Sequence, residues 1–124
     1  MTDFDAQFER CSHWLQAALD KGGNSHDLCH VKAGIKAGDY QFWPAPDGAI
    51  VTEVIFYPKF SVLHAWLAGG DLAQIKDMIP SLVSFAKAHH CSKFTATGRL
   101  GWVRALKDMG FNGIMTTVSK EIAP

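Results

Sequence analysis

The sequence predicts an α/β domain: a mixed, twisted sheet with helices ahead of it and one long helix crossing over it. Three observations carry that expectation. The first third shows apolar residues at helical spacing, and the middle third is rich in aromatic and β-branched residues broken by turn residues. A strongly capped helical stretch then lies between two strand patterns, as the crossover of a parallel pair requires.

From Phe4 to Leu19, Phe8, Cys11, Leu15 and Ala18 recur on one helical face until Gly22-Gly23-Asn24 stops the pattern. A second helix is expected from about His26 to Ala37, with Leu28, Val31 and Ile35 on one face, Lys32 and Lys36 on the other, and Gly38 as its C-terminal cap. Tyr40–Pro44, Ala49–Tyr57 and Ser61–Leu67 read as an antiparallel meander divided by Pro46-Asp47-Gly48 and Pro58-Lys59. Gly69-Gly70-Asp71 opens the crossover helix, with Leu72, Ile75, Ile79, Leu82 and Ala86 in phase. Asp71 and Gln74 have capping-box spacing, and Pro80 inside the helix should bend it. After His89-His90-Cys91, a short strand Lys93–Thr97 should run parallel to Ser61–Leu67. A short helix, Trp102–Met109, should bury Trp102, Ala105, Leu106 and Met109 and end at Gly110, leaving Gly113–Ile122 as a closing strand.

At 124 residues and 48% hydrophobic composition, one domain spanning 1–124 is expected, with a core that needs no disulfide or metal. Twelve basic residues balance twelve acidic ones, so no global basic field draws the chain to nucleic acid or to membranes. The acidic start lacks an apolar leader, and no apolar run approaches a membrane span. Three cysteines without CxxC spacing fit a reducing compartment and read as small buried hydrophobes. The cytoplasm is the expected location.

The order of elements, from about Leu28 to Ile122, is similar to the GNAT (Gcn5-related N-acetyltransferase) superfamily. Three segments resemble the small GNAT-like proteins of tailed phages and prophages: Gly38-Asp39-Tyr40-Gln41-Phe42-Trp43, Thr52-Glu53-Val54-Ile55-Phe56-Tyr57-Pro58, and above all the run from Thr97-Gly98-Arg99-Leu100-Gly101-Trp102 to Gly110-Phe111. The resemblance implies a GNAT-like acyl-CoA N-acyltransferase fold. It also implies an acetyl-CoA site where two parallel strands splay, with pantetheine along the strand His64–Leu67 and pyrophosphate on the backbone N–H groups that open the next helix.

By that resemblance the cofactor-binding stretch is Trp66, Leu67, Ala68, Gly69, Gly70, Asp71, Leu72 and Ala73. It departs from the family loop, which carries arginine or glutamine ahead of its glycines. Asp71 also sets a carboxylate on the donors that a pyrophosphate needs. The tyrosine that serves many members as general acid is replaced by Leu106, and neither Tyr40 nor Tyr57 lies in that helix. A base for the acceptor amine is sought in Glu53 or His64, both on central strands.

Other groupings carry less chemistry. His26, Cys29 and His30, and later His89, His90 and Cys91, offer zinc-type ligands, but nothing in the sequence brings four of them together, so no metal is expected. Arg99, Arg104 and Lys107 could grip a phosphate or an acidic partner, and Trp43 is the tryptophan expected at a cleft or partner surface. Two functions stand as alternatives. One is a noncatalytic GNAT-like phage protein acting in virion structure or assembly, through virion proteins or self-association, in the host cytoplasm or the virion. The other is an acetyl-CoA-dependent N-acyltransferase on an unidentified amine.

Overall fold

The structure is a computed structural model that describes residues 3–98 and 101–123. Two helices come first, α1 (Asp3–Lys21) and α2 (Leu28–Ala37). Three strands follow, β1 (Gln41–Ala45), β2 (Gly48–Phe56) and β3 (Ser61–Gly70), and then the long helix α3 (Leu72–Ala88). Strand β4 (Cys91–Ala96), a short helix α4 (Gly101–Ala105) and a 3₁₀ turn at Lys107–Met109 complete the regular elements. The sheet order is β1-β2-β3-β4, antiparallel except for the parallel pair β3–β4 that α3 connects.

The helices cover both faces of the sheet. On one face α1 and α2 pack Phe8, Cys11, Leu15, Leu19 and Val31 against Ala49, Val51 and Leu67. On the other, α3 packs Ile75, Leu82 and Ala86 against Ile50, Leu63 and Ala65. The alternation of Ala49, Ile50 and Val51 between these clusters is the two-residue period of a strand buried on both sides. Each large aliphatic side chain removed from water contributes about 1.5–3 kcal/mol. Two expected helix ends are formed as read: Gly38 closes α2 at φ 86°, and Gly110 closes the 3₁₀ turn at φ 88°.

Three departures from the sequence reading matter for function. Strand β3 runs to Gly70, three residues past the expected end at Leu67. Its register against β2 steps from Val51↔Leu67 to Thr52↔Ala65, so Trp66 is the extra residue of a β-bulge. The bulge turns both Trp66 and Leu67 toward α1, while Ala65 and Ala68 face α3.

The second departure is the chain end. Gly113–Ile122 forms no strand, and every residue from Asn112 to Ala123 is exposed. Phe111 is anchored by its N–H on Leu106 O and by its ring against Phe94, but a Cβ at Gly113 would stand 3.5 Å from Val103 Cγ1. The chain thus leaves across α4 instead of turning along β4. The third departure is Cys29, which is exposed; Cys11 is buried and Cys91 half-buried. Among the described residues no helix is long and apolar enough to cross a membrane.

Candidate functional site

Pairing between β3 and β4 stops at Ala65↔Ala96, with one further bond from Thr97 N–H to Ala65 O. Strand β3 continues to Gly70 with β2 as its ladder partner, so the parallel strands part after Ala65. This parting is where the resemblance places a pantetheine arm. Of the eight residues assigned to cofactor binding, Trp66, Leu67, Ala68, Gly69 and Gly70 lie in β3, Asp71 is the N-cap of α3, and Leu72 and Ala73 are its first turn.

Asp71 makes three hydrogen bonds inside the chain at this junction. Asp71 N–H donates to Asp47 O at 2.8 Å, the Asp71 carboxylate accepts from Gln74 N–H at 3.1 Å, and Ile75 N–H donates to Asp71 O at 3.0 Å. A carboxylate cap of this kind contributes about 1 kcal/mol and opposes an anion at the same donors. The two glycines are likewise explained by packing. A Cβ on Gly69 would stand 2.7 Å from Trp14 O, so Gly69 admits the backbone of α1. Gly70, at φ 113°, lies so close to Asp47 O and Gly48 Cα that a Cβ has no room.

The space beneath the parting strands is filled by side chains from the end of the chain. Ile50, Ala65, Ala68, Ile75 and Phe94 meet Trp102, Leu106 and Phe111 there, around about 30 Å³ of internal space. That is room for a water molecule, not for a pantetheine arm. Trp102 is half-buried and its indole rests on Gly98, where a Cβ would collide with it. Leu106, which the resemblance sets at a tyrosine position, is buried and offers no proton.

On the opposite face the candidate bases come together. Glu53 and His64 are register partners on β2 and β3. The His64 ring bridges two hydroxyls of the β4 side, with Nδ1 2.7 Å from Thr95 Oγ1 and Nε2 2.9 Å from Thr97 Oγ1. In a neutral imidazole one nitrogen donates and the other accepts, so rotation of the two hydroxyls suits either tautomer. Burial pulls the His64 imidazole below its ordinary value, against a smaller upward pull from the Glu53 carboxylate. Burial, then Glu53 and Asp39, push the Tyr40 phenol up. The Trp66 ring lies tilted against Tyr40 at 5.1 Å and edge-on to His26 at 4.7 Å.

Thr95, Thr97 and Tyr40 are the members of this cluster that the sequence reading missed. Thr95 stands directly opposite His64 only because of the β3–β4 register. Both nitrogens of this imidazole are thus engaged by hydroxyls at the point where the two strands part.

The remaining candidates resolve differently. Trp43, expected at a cleft or partner surface, instead donates its Nε1–H to Thr52 Oγ1 at 3.0 Å and packs edge-on to Phe85. Thr52 Oγ1–H in turn donates to Gln41 Oε1 at 2.8 Å, which satisfies a fully buried polar group. Arg99 and Leu100 lie outside the described residues. Arg104 and Lys107 are exposed, and the cation that acts near them is Lys76, which holds the Asp108 carboxylate at 2.8 Å and keeps its pKa below the usual range.

Among the described residues, Asp27, Cys29 and His30 are the three ligand-type side chains that cluster, all exposed; His89, His90 and Cys91 do not join them. His30 Nδ1 already accepts the Asp27 N–H at 2.9 Å, which leaves its other nitrogen protonated in the neutral ring. Three exposed groups fall short of the four converging ligands of a structural zinc site. His89 stacks on Phe85 at 4.1 Å and closes α3.

No family model matches the sequence, and no curated protein matches it. Solved structures do match, and they share the fold. A probable acetyltransferase superposes with a TM-score of 0.70 at 6% identity, covering 99% of this chain and 96% of its own. A GNAT family acetyltransferase of Staphylococcus aureus matches with a TM-score of 0.60 at 13% identity, covering 98% and 95%. A protein of Bacillus halodurans described as a transcriptional regulator gives 0.70 at 12% identity, covering 98% and 96%. The fold is that of the GNAT acetyltransferases, with a four-stranded mixed sheet. At these identities the likeness establishes the fold alone, and function rests on the site.

Proposed function

We propose that this chain is a GNAT-fold protein that does not act through acetyl-CoA and works through contacts with other proteins. The observation that carries this reading is the start of α3. The Asp71 carboxylate occupies a helix-terminal donor, the Asp71 N–H is taken by Asp47, and both glycines are used to admit neighbouring backbone. The filling of the cleft by Trp102 and Phe111 supports it independently. The partners we propose are virion proteins, in a structural or assembly role in the bacterial host. That assignment rests on the resemblance of Gly38–Trp43, Thr52–Pro58 and Thr97–Phe111 to phage GNAT-like proteins.

The second reading, an acetyl-CoA-dependent N-acyltransferase, is favoured by the His64 geometry and by the acetyltransferases among the structural neighbours. In that reading His64 takes a proton from the acceptor ammonium, the free amine attacks the thioester carbonyl, and the C–S bond breaks. The departing thiolate would then take its proton from water, because Leu106 has none to give.

Calorimetric titration of the folded protein with acetyl-CoA, and then with CoA, separates the two. The proposed function predicts no detectable heat up to millimolar ligand. Micromolar binding moves the assignment to the acyltransferase, where His64→Ala should then abolish transfer without abolishing binding.

A further inference from the structure

Two stretches of the chain break its even balance of charge. Between Glu53 and Asp71 the one charged side chain is Lys59, and between Asp77 and Asp108 there are five, all lysine or arginine. Half of the twelve basic residues thus lie in stretches that hold none of the twelve acidic ones. A chain without net charge can carry a local basic surface in this way.

The fold gathers part of this excess at one end of the sheet. Lys59 sits in the turn between β2 and β3, and the register Phe56↔Ser61 and Ser61↔Cys91 sets that turn beside the start of β4. Lys93 follows on β4, opposite Val62, and Lys87 lies in the last turn of α3, just ahead of β4. All three lysines are exposed. The same turn carries two aromatic side chains that the core does not use, Phe56 at 79% and Tyr57 at 52% exposure. Phe60 braces it: its carbonyl accepts the Tyr57 N–H at 2.9 Å, its ring meets that of Tyr57 at 5.5 Å, and Lys93 Nζ lies 4.3 Å from its ring centroid. The nearest carboxylate along β2, Glu53, is three residues from Phe56, about 10 Å along a strand.

We propose that this end of the sheet binds single-stranded nucleic acid, with bases on the Phe56 and Tyr57 rings and phosphates on Lys59, Lys87 and Lys93. The occupant follows from the pairing of chemistries. Each nucleotide of an unpaired strand brings one negative charge and one flat base, and the patch offers cations and free ring faces together. An acidic protein segment would satisfy the lysines and leave the rings without flat partners. A membrane would have to take Lys59, in the turn itself, toward hydrocarbon along with the rings. A duplex keeps its base faces stacked inside. Base faces and phosphates are common to DNA and RNA, so the patch takes both.

The inference goes beyond the proposed function, since it needs neither a protein partner nor acetyl-CoA. Fluorescence anisotropy of labelled oligo-dT and oligo-U, each about twenty nucleotides long, tests it on the full chain. The expected result is micromolar binding of both at low salt, with log K falling against log salt at a slope of about −2, as three phosphate contacts on a single strand give. Phe56→Leu keeps an apolar side chain and removes the ring face. It should weaken binding at least about fivefold while the circular dichroism spectrum and the urea midpoint stay unchanged. Lys93→Gln should make the slope shallower by about 0.7. Absence of binding to either oligonucleotide at low salt overturns the proposal. So does binding that Phe56→Leu leaves intact, or that polyglutamate displaces as well as unlabelled oligo-dT does, because carboxylates alone would then suffice. Adsorption to phosphatidylserine vesicles without oligonucleotide binding assigns the patch to a membrane surface and overturns it as well.

Discussion

The two halves of β3 differ in what their neighbours leave available. From Ser61 to Ala65 the strand is paired on both sides and presents His64 between Thr95 and Thr97, with Glu53 beside it. From Trp66 to Gly70 it is paired with β2, and its backbone is pressed between Trp14 of α1 and the Asp47-Gly48 turn. The first half keeps groups that could move a proton; the second has turned its glycines and cap into packing. One strand thus carries hydrogen-bonded polar side chains in its first half and close backbone packing in its second.

Several substitutions sharpen this contrast. The largest effect is expected at Gly70, where alanine meets both a positive φ and the Asp47-Gly48 backbone; Gly70→Ala should cost about 3 kcal/mol in thermal or urea unfolding. If the Asp47-Gly48 backbone did not crowd the position, only the positive φ would count, and the cost would be about 1 kcal/mol. Next comes Trp102→Ala, expected to cost about 2–3 kcal/mol, below the range for a fully buried tryptophan because the ring is half-exposed. A neutral result would show that the indole does not fill the cleft.

Smaller effects are expected at the cap. Asp71→Ala should lose about 1 kcal/mol by removing the acceptor for Gln74 N–H, whereas Asp71→Asn keeps a cap and should change stability by less than about 0.5 kcal/mol. The same asparagine removes the charge. A rise in acetyl-CoA affinity in Asp71→Asn would show that the cleft is open and that the carboxylate alone excludes the ligand.

The smallest effect is a slope with pH. The folded-state pKa of His64 lies below its unfolded value, so the unfolded chain takes up a proton first as pH falls. The contribution of the neutral ring is fully present above about pH 6.5, the ordinary histidine value, and is lost as pH falls through the folded pKa. His64→Asn should flatten that part of the stability curve, measured by urea unfolding across the acid range. An unchanged slope would mean that the ring is not held neutral by burial.

Much of this architecture was legible in the sequence, because helical phase, glycine stops and turn residues act locally. The spacing of Phe8, Cys11 and Leu15 gave α1, and Gly38 and Gly110 marked their element ends. The extension of β3 to Gly70 was not legible. Gly69-Gly70 looks like a loop until α1 and the Asp47-Gly48 turn are known to need their missing side chains. In the candidate site, Glu53 and His64 could be placed on central strands from alternation. The threonine partners could not be found that way, since they depend on the β3–β4 register, which no local pattern encodes. The terminal strand was misread for a related reason: its pattern suits a strand, but a ladder needs a neighbour, and the chain leads away from its own.

The central claim, that the start of α3 is closed to a pyrophosphate, is tested most directly by following the backbone amides of the full chain by nuclear magnetic resonance during titration with acetyl-CoA. The account predicts that Trp66 through Ala73 keep their shifts to millimolar ligand. Saturable shifts at Gly70, Leu72 and Ala73 at micromolar ligand would contradict it.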